Sequence, residues 1–365
     1  MIKDRNLKIK AIEYFTRRFW YPHLEVNVLS KNQLSRAPKL VTDIDAIALA
    51  PEVTGTFFTI LGDCKTLKGQ SPITRALWMK GLMEYFSAEK GLILLSKEVE
   101  KEHQLTANVL DIQLFSEEDF EFYSKSTADY IIDINSALIM IDHWDLFMDI
   151  DKRHPKLKPL ADFARTGFWN EKNNNNYLLR TGLSILKSLK AELNPANNLH
   201  LALVLHHYSL IAISLNQIVI QIFTKYVSLK SKDELSNDLK IILYGGIDNY
   251  EFLNDLRKRY IGAYAADKNL SLPEWESFVE LIRLFFQNPL GFNALPLYLK
   301  ELSFCFLSSN PENYTFSKTI ASKDRYTSNF AIRLCEYLNK ACDLPPEFVE
   351  IYSEIIVFNK FNLKE

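Results

Sequence analysis

Apolar residues recur at helical and then at strand spacing through the first third of the chain. Residues 6–19 place apolar side chains three or four positions apart, which predicts an amphipathic opening helix. Three segments rich in β-branched and aromatic residues follow, bounded by turn formers, and predict a meander of three strands. These strands are expected over Leu24 to Leu29, Leu40 to Ala48 and Phe57 to Cys64.

A helix and a fourth strand follow the meander. Ser71 and Pro72 predict the N-cap and first residue of a helix that runs to Phe86. The apolar run GLILLSK is typical of a buried strand reached by a crossover connection. A helix near Glu98 to Asn108 and an apolar segment over residues 109–115 complete the unit. We therefore predict an α/β domain over residues 1–125.

Beyond residue 126 helical patterns dominate. They are interrupted at His154-Pro155, at the four asparagines 173–176, at Asn194-Pro195 and at Tyr244-Gly-Gly. We predict a mostly α-helical second domain over residues 126–365, which would serve recognition, oligomerisation or partner binding. A chain of 365 residues is also long enough for two domains.

The most apolar stretch, residues 201–224, has no formally charged side chain and is long enough to cross a bilayer. It contains His206, His207 and Asn216, which would need partners in hydrocarbon but can find them inside a helical domain. We therefore predict a buried helix and no membrane contact, with a membrane anchor as the alternative. The two adjacent histidines face different directions on a helix, which disfavours a shared metal.

The charge balance excludes a global attraction to nucleic acid, because 43 basic residues meet 45 acidic ones. Residues 1–40 are an exception, with nine basic and three acidic side chains. This local excess fits a DNA-facing surface or an ordinary solvated helix face. The four cysteines form no CxxC pair and no signal-peptide pattern opens the chain, so we expect a cytoplasmic protein.

Acidic residues end two neighbouring strands: Asp43 and Asp45 on the second, Asp63 with Lys65 on the third. Side chains two apart on a strand share a face, so Asp63 and Lys65 point together while Cys64 points toward a core. If the strands pair, Asp45 faces Asp63. Two carboxylates with a backbone carbonyl, here that of Cys64, form a hard oxygen site suited to Mg²⁺, with Mn²⁺ as a substitute. Lys65 would orient water or stabilise negative charge.

In residues and in order, this arrangement resembles the PD-(D/E)XK nuclease superfamily, which includes type II and type IV restriction endonucleases and archaeal Holliday-junction resolvases. The resemblance covers the N-terminal third. Asp45 matches the first acid of the family, Asp63-Cys64-Lys65 matches its D/E-X-K triplet, and Glu13 matches its frequent acid on the opening helix. The predicted element order also matches the α-β-β-β-α-β core and mixed sheet of restriction-endonuclease-like folds.

The resemblance implies a Mg²⁺-dependent DNA endonuclease, with a role in restriction or anti-phage defence. Asp45, Asp63, Lys65 and Glu13 would be catalytic. The metal would be held by Asp45, Asp63, Glu13 and the Cys64 carbonyl. The chain departs from the family in lacking a proline before the first acid, in carrying aspartate where glutamate is commoner, and in offering Asp43 as a competing ligand. Glu25, on the first strand, is an alternative to Glu13.

Other candidates are weaker. On the helix after the third strand, Thr74, Arg75 and Lys80 could approach a phosphate backbone, whereas Trp78 fits the core. The run from Asp142 to His154 has no recognised metal spacing and is interpreted as a solvated helix followed by a loop. No GxxxxGK[ST], GxGxxG or GxSxG motif occurs, which leaves nucleotide hydrolysis, dinucleotide redox chemistry and α/β-hydrolase chemistry without support.

A second hypothesis belongs to a different class of protein. Acids and lysines on neighbouring strands commonly form cross-strand ion pairs. The chain would then be a catalytically silent scaffold or an interaction subunit of a larger complex. Under the first hypothesis the partners are DNA, a second copy of the chain and a partner protein subunit.

Overall fold

The N-terminal part of the computed structural model is a five-stranded mixed sheet with flanking helices. The structure describes residues 2–30, 38–66, 71–128, 134–225, 231–261 and 270–361. The N-terminal elements are α1 (Arg5–Arg17), β1 (Tyr21–Leu29), β2 (Leu40–Pro51), β3 (Phe57–Lys65), α2 (Pro72–Phe86), β4 (Lys90–Leu95), α3 (Lys101–Val109), β5 (Ile112–Ser116) and α4 (Glu117–Thr127).

The sheet order follows the chain, from β1 at one edge to β5 at the other. β1, β2 and β3 form an antiparallel meander, and β3, β4 and β5 run parallel with α2 and α3 as the crossover helices. β4 is buried from Gly91 onward, as its continuous apolar sequence predicts for a parallel strand. The predicted mixture of a meander and a crossover is confirmed.

Element bounds agree closely with the sequence patterns. α2 begins and ends where Pro72 and Phe86 were expected to place it. β1 begins three residues earlier than predicted, at Tyr21, and includes Pro22. A proline is tolerated there because β1 is an edge strand and its missing N–H costs no ladder bond. α3 begins at Lys101 and not at Glu98, a difference typical of helix ends.

The C-terminal region is mostly helical, as predicted. Its helices are α5 (Ile141–Met148), α6 (Ile150–Arg153), α7 (Lys158–Asp162), α8 (Phe168–Asn170), α9 (Asn175–Leu189), α10 (Asn198–Lys225), α11 (Lys232–Leu243), α12 (Ile247–Ile261), α13 (Trp275–Phe285), α14 (Leu295–Cys305), α15 (Phe316–Lys323), α16 (Thr327–Cys342) and α17 (Glu347–Phe361). A π-helical turn, Phe163–Gly167, joins α7 to α8.

The apolar helix α10 lies in the interior and packs against α9 and α14. Its length and composition would suffice to cross a membrane, and 94% of its most apolar window is buried inside the protein. His207 finds a partner on α9, with its Nε2 3.0 Å from the Gly182 carbonyl oxygen. The prediction of a buried helix is confirmed, and one of the two ring nitrogens of this histidine has a hydrogen-bond partner among the described residues.

Residues of β1 contact the helical region. The Tyr21 hydroxyl lies 2.8 Å from Ser209 Oγ on α10, and the Leu29 N–H donates to Asn170 Oδ1 at 2.8 Å. A single cluster of buried apolar side chains includes residues of both regions. The domain boundary predicted near residue 125 falls within the last turn of α4.

Three basic side chains are buried together where the sheet meets the helices. We call His23, His206 and Lys300 the junction cluster. Lys300 Nζ lies 2.9 Å from His23 Nδ1, and the His23 and His206 rings stack with centroids 5.4 Å apart. Burial lowers the pKa of Lys300 and of both histidines well below the usual values. Within the described residues no carboxylate bonds Lys300, and the adjacent Glu301 accepts bonds from Ser136 and Ala137.

Candidate active site

Two buried carboxylates lie where β2 and β3 stop pairing. The ladder ends with Ala46 opposite Gly62, so Asp45 and Asp63 are the next residues on the two strands. Only 2% of Asp45 and 3% of Asp63 is exposed. As the strand spacing predicts, the Cys64 side chain is buried, between two residues of the opposite face. The structure therefore brings the two sequence-predicted acids to neighbouring positions.

Asp45 binds both a lysine and a backbone donor. Lys65 Nζ lies 2.9 Å from Asp45 Oδ2, and the Cys64 N–H donates to the same oxygen at 3.0 Å. Lys8, on α1, places its Nζ 2.8 Å from Oδ1. Burial raises the pKa of Asp45, but the charges and hydrogen bonds of Lys8 and Lys65 outweigh burial and hold that pKa below its usual value. Asp45 is therefore an ionised carboxylate.

Asp63 is held by a guanidinium. Arg75, one turn into α2, donates from Nε and from one terminal nitrogen to the two oxygens of Asp63, and its guanidinium lies 4.0 Å from the centroid of the Trp78 ring. Burial, together with the charge of Asp45, holds the pKa of Asp63 above its usual value despite the bonds from Arg75. Trp78 is half-buried and packs on the core, whereas Lys80 pairs with Glu84. Of the α2 candidates, Arg75 reaches the acids.

Lys8 was not identified from the sequence as a site residue. Its ammonium lies between Asp45 and Glu25, and only 2% of the side chain is exposed. Lys8 occupies the same helical face as the buried Ile12 and Phe15, four and seven positions on, which is the signal that could have found it. Burial lowers the pKa of Lys8, but the two carboxylates more than compensate and raise it above the usual value.

Glu25 sits in an unusual backbone conformation. Its φ of 56° is left-handed, in the middle of a strand whose other pairs keep one register up to Val28. A non-glycine residue in this conformation costs about 1–3 kcal/mol and persists only where its surroundings demand it. Here the side chain bonds the buried Lys8 ammonium. Glu25, which the sequence offers as an alternative to Glu13, is therefore part of the candidate site.

Glu13 lies elsewhere, which corrects its expected place beside the metal. Its carboxylate accepts a bond from Arg17 Nε at 2.9 Å, one helical turn on. Five residues of α-helix turn the chain by about 140° relative to Lys8, so Glu13 projects from a different side of α1. The structure places a lysine of α1 against the acids where the resemblance implies a carboxylate.

We call Glu25, Asp45, Asp63, Lys8, Lys65 and Arg75 the carboxylate cluster. It contains three acids and three bases, so its formal charge is zero. The competing acid Asp43 is exposed and lies on the rim of the same cleft. Asp45, and not Asp43, is therefore the acid that meets Lys65.

A cleft of about 500 Å³ opens beside the carboxylate cluster, and the helical region forms its far wall. Lys8, Glu25, Asp45 and Lys65 line one side. The lining of the other side comes from α5, α6 and the π-helical turn and consists of Asp145, Met148, Asp149, Lys152 and Arg165. The candidate site is therefore shared between the two regions.

The interpretation of residues 142–154 as a solvated helix and loop is wrong. Trp144 and Phe147 on α5, and Ile150 on α6, are buried. Asp145 accepts a bond from the Ile2 N–H at 2.9 Å and pairs with Arg5, which ties the start of the chain to this wall. The run is an amphipathic helix pair, with Asp142 and Lys152 exposed on one side and the apolar residues packed into the core on the other.

Ion pairs involve four of the seven described basic residues among the first forty. Arg5, Lys8, Lys10 and Arg17 each pair with a carboxylate. Lys31 and Arg36 lie outside the described residues. Among the described residues, a DNA-facing surface would draw on the other three, Lys3, Arg18 and Lys39.

The donor atoms of the carboxylate cluster fit Mg²⁺ in kind, because buried carboxylate oxygens are what a hard cation binds. Asp45, Glu25 and Asp63 would hold the ion. As the side chains lie, no group of three or more acids, histidines or cysteines in the described ranges converges on one point. The reason is local, since Lys8, Lys65 and Arg75 already bind these carboxylates.

Comparison with known proteins finds no match for this chain among family models, curated proteins or solved structures.

Proposed function

We propose that this protein is a divalent-metal-dependent DNA endonuclease of the PD-(D/E)XK type. The observation that carries the proposal is the contact of Lys65 with Asp45 at the point where β2 and β3 stop pairing, with Asp63 two residues before Lys65 on β3. An acid, a second acid and a lysine then lie together on two interior strands of a mixed sheet, and Asp45 and Lys65 line a cleft. This is the arrangement that the D-x-K spacing and the resemblance imply.

Each residue has a role in this proposal. A bound Mg²⁺ would act as a Lewis acid on the phosphodiester and activate a water molecule. Asp45, Asp63 and Glu25 would bind the metal ion and fix its position. The Lys65 side chain is 33% exposed, lines the cleft, and is placed to stabilise negative charge on the phosphate. The α5–α6 wall excludes water from one side. Restriction of foreign DNA is the biological role we propose with it.

The proposal is tested by cleavage of supercoiled plasmid and linear duplex with Mg²⁺ or Mn²⁺. We expect metal-dependent cutting that falls by about 10²-fold or more in Lys65→Ala and Asp63→Asn, the size of effect that follows loss of a charge-stabilising group. Lys90→Ala is the matched control, because Lys90 lies on the same sheet, is paired with Asp111, and stands beside Ile60 at the other end of β3. Cutting by Lys65→Ala at the wild-type rate would refute the assignment.

The structure also favours a second candidate, a catalytically silent scaffold. Both oxygens of Asp63 are bound by Arg75, and both oxygens of Asp45 are bound by lysines, as in an ion-pair network with a structural role. Folded wild-type protein that cuts no plasmid, duplex or single strand with either metal would support this candidate.

A further inference from the structure

We propose that Lys8 is a tethered cation that occupies the metal position of this site and must be displaced before a divalent ion binds. The inference deepens the proposed function and rests on it for the identity of the ligand. It concerns the regulation of metal occupancy, and its experiment measures binding directly.

The first step of the argument is position. Lys8 Nζ lies 2.8 Å from Asp45 Oδ1 and also bonds Glu25 Oε1, so one ammonium bridges carboxylates of two strands. A cation bound by the same oxygens would need the same space. The Lys8 side chain is almost fully buried, and α1 packs against β1, β2 and β3. The packing of this helix therefore holds the ammonium beside the two carboxylates.

The second step is charge. With Lys8 in place, the carboxylate cluster has three acids and three bases. Adding a divalent ion would leave two uncompensated positive charges at a buried position, which is strongly unfavourable. Withdrawal of Lys8 removes one of them and frees Asp45 Oδ1 together with Glu25.

The third step is the backbone of Glu25. Its left-handed φ of 56° directs the side chain to Lys8 from the strand position opposite Asp45, where β1 and β2 omit a ladder pair. Strained residues of this kind cluster at ligand sites. The strain is accounted for if Glu25 serves two alternative cations, the lysine and the metal.

The test is titration of the full-length protein with Mn²⁺ alone, followed by electron paramagnetic resonance. We expect Lys8→Met to bind Mn²⁺ at least tenfold more tightly than wild type. Lys10→Met is the control, because Lys10 lies on the same helix and pairs with Glu117 outside the cleft. It should bind as wild type does. Equal affinity in wild type and Lys8→Met, or no binding by folded Lys8→Met, would overturn the inference.

Folding is controlled with Lys8→Gln and with circular dichroism in the presence and absence of Mn²⁺. A variant that folds only with Mn²⁺ supports the inference, since the metal then replaces the ammonium. A variant that stays unfolded under both conditions overturns it. A failure of this inference about Lys8 can be distinguished from a failure of the proposed nuclease function. Metal-dependent cleavage with unchanged Mn²⁺ affinity in Lys8→Met removes only the gating role, whereas tighter Mn²⁺ binding without any cleavage removes only the nuclease.

Discussion

The molecule buries charge in two places by opposite means. In the carboxylate cluster, each buried acid lies against a base within ion-pair distance. In the junction cluster, three basic groups are packed among aromatic rings, with Lys300 Nζ 4.2 Å from the centroid of the Tyr21 ring and without an acid on Lys300 in the described part of the chain. The carboxylate cluster therefore remains ionised, whereas the basic groups of the junction cluster become neutral.

The difference follows from the cost of desolvation. A buried charge is tolerated where an opposite charge and hydrogen bonds compensate it, and otherwise the group becomes neutral. The pKa of Asp45 therefore falls, and the pKa of Lys300 also falls, but the first shift keeps an ion and the second removes one. A site for a cationic metal belongs in the first environment.

The largest expected effect is loss of stability in Asp45→Ala. Removing this carboxylate leaves the ammonium of Lys8 buried with Glu25 as its remaining acid. Breaking a buried pair from one side costs about 3–5 kcal/mol. Urea denaturation in EDTA should show this loss. Glu13→Ala, which removes a helix-surface pair with Arg17, should cost less than about 1 kcal/mol. Equal costs would mean that the carboxylate cluster is not compensated as described.

A smaller effect of opposite sign is expected for Lys300→Met. Methionine keeps most of the length and removes a group that must lose its proton to be buried. Replacing buried charged groups with apolar side chains of similar size is neutral or stabilising by about 1–4 kcal/mol. The urea midpoint at pH 7 should therefore rise. A loss of several kcal/mol would show instead that the Lys300 contacts with His23 and Tyr21 stabilise the fold.

The smallest effect concerns pH and His206. Burial lowers the pKa of this histidine in the folded state, so the unfolded state binds the extra proton and stability falls as pH drops below about 6.5. Relative to His206→Phe, wild type should lose about 2 kcal/mol between pH 7 and pH 5. Glu301, whose pKa burial raises to about 7, acts with the opposite sign, but it is common to both proteins.

Denaturation curves of the two proteins at pH 7, 6 and 5 measure this difference, with far-UV circular dichroism to verify the fold. A constant difference across this range would mean that the pKa of His206 is the same in the folded and unfolded states, and would contradict the prediction. Asp45 does not interfere, because its pKa is lowered in the fold and its stabilising contribution is lost only when the pH falls below the usual carboxylate pKa.

Much of the N-terminal architecture follows from local patterns. The helix from Pro72 to Phe86 has its proline signal at the first turn, and the strand before it ends in the D-x-K triplet that the spacing places on one face. These helices and strands could be predicted because hydrophobic periodicity and turn-forming residues determine structure over only a few positions of the chain. The neighbouring positions of Asp45 and Asp63 follow from one further assumption, that consecutive strands pair.

Other features required contacts between distant parts of the chain. Glu13 was expected at the site because it matched the resemblance, yet α1 packs on the sheet with Lys8 facing the acids. The cleft wall formed by Asp145 and Asp149 could not be predicted, because the residues that it faces, such as Ile2, are more than a hundred positions away in the sequence. Local polarity cannot distinguish a side chain facing solvent from one facing a cleft.

The sequence by itself determined the order and type of the N-terminal elements, the helical character of the remainder, and the placement of Asp63 and Lys65 on one face of a strand, because these depend on local periodicity. The tertiary structure decided which side chains complete the site: Lys8, Glu25 and Arg75 meet the two acids, and α5 and α6 close the cleft. It also decided that Lys300 is buried with no acid bonded to it among the residues that the structure describes. The physical reason is that compensation of a buried charge depends on distance in space, which a linear pattern does not contain.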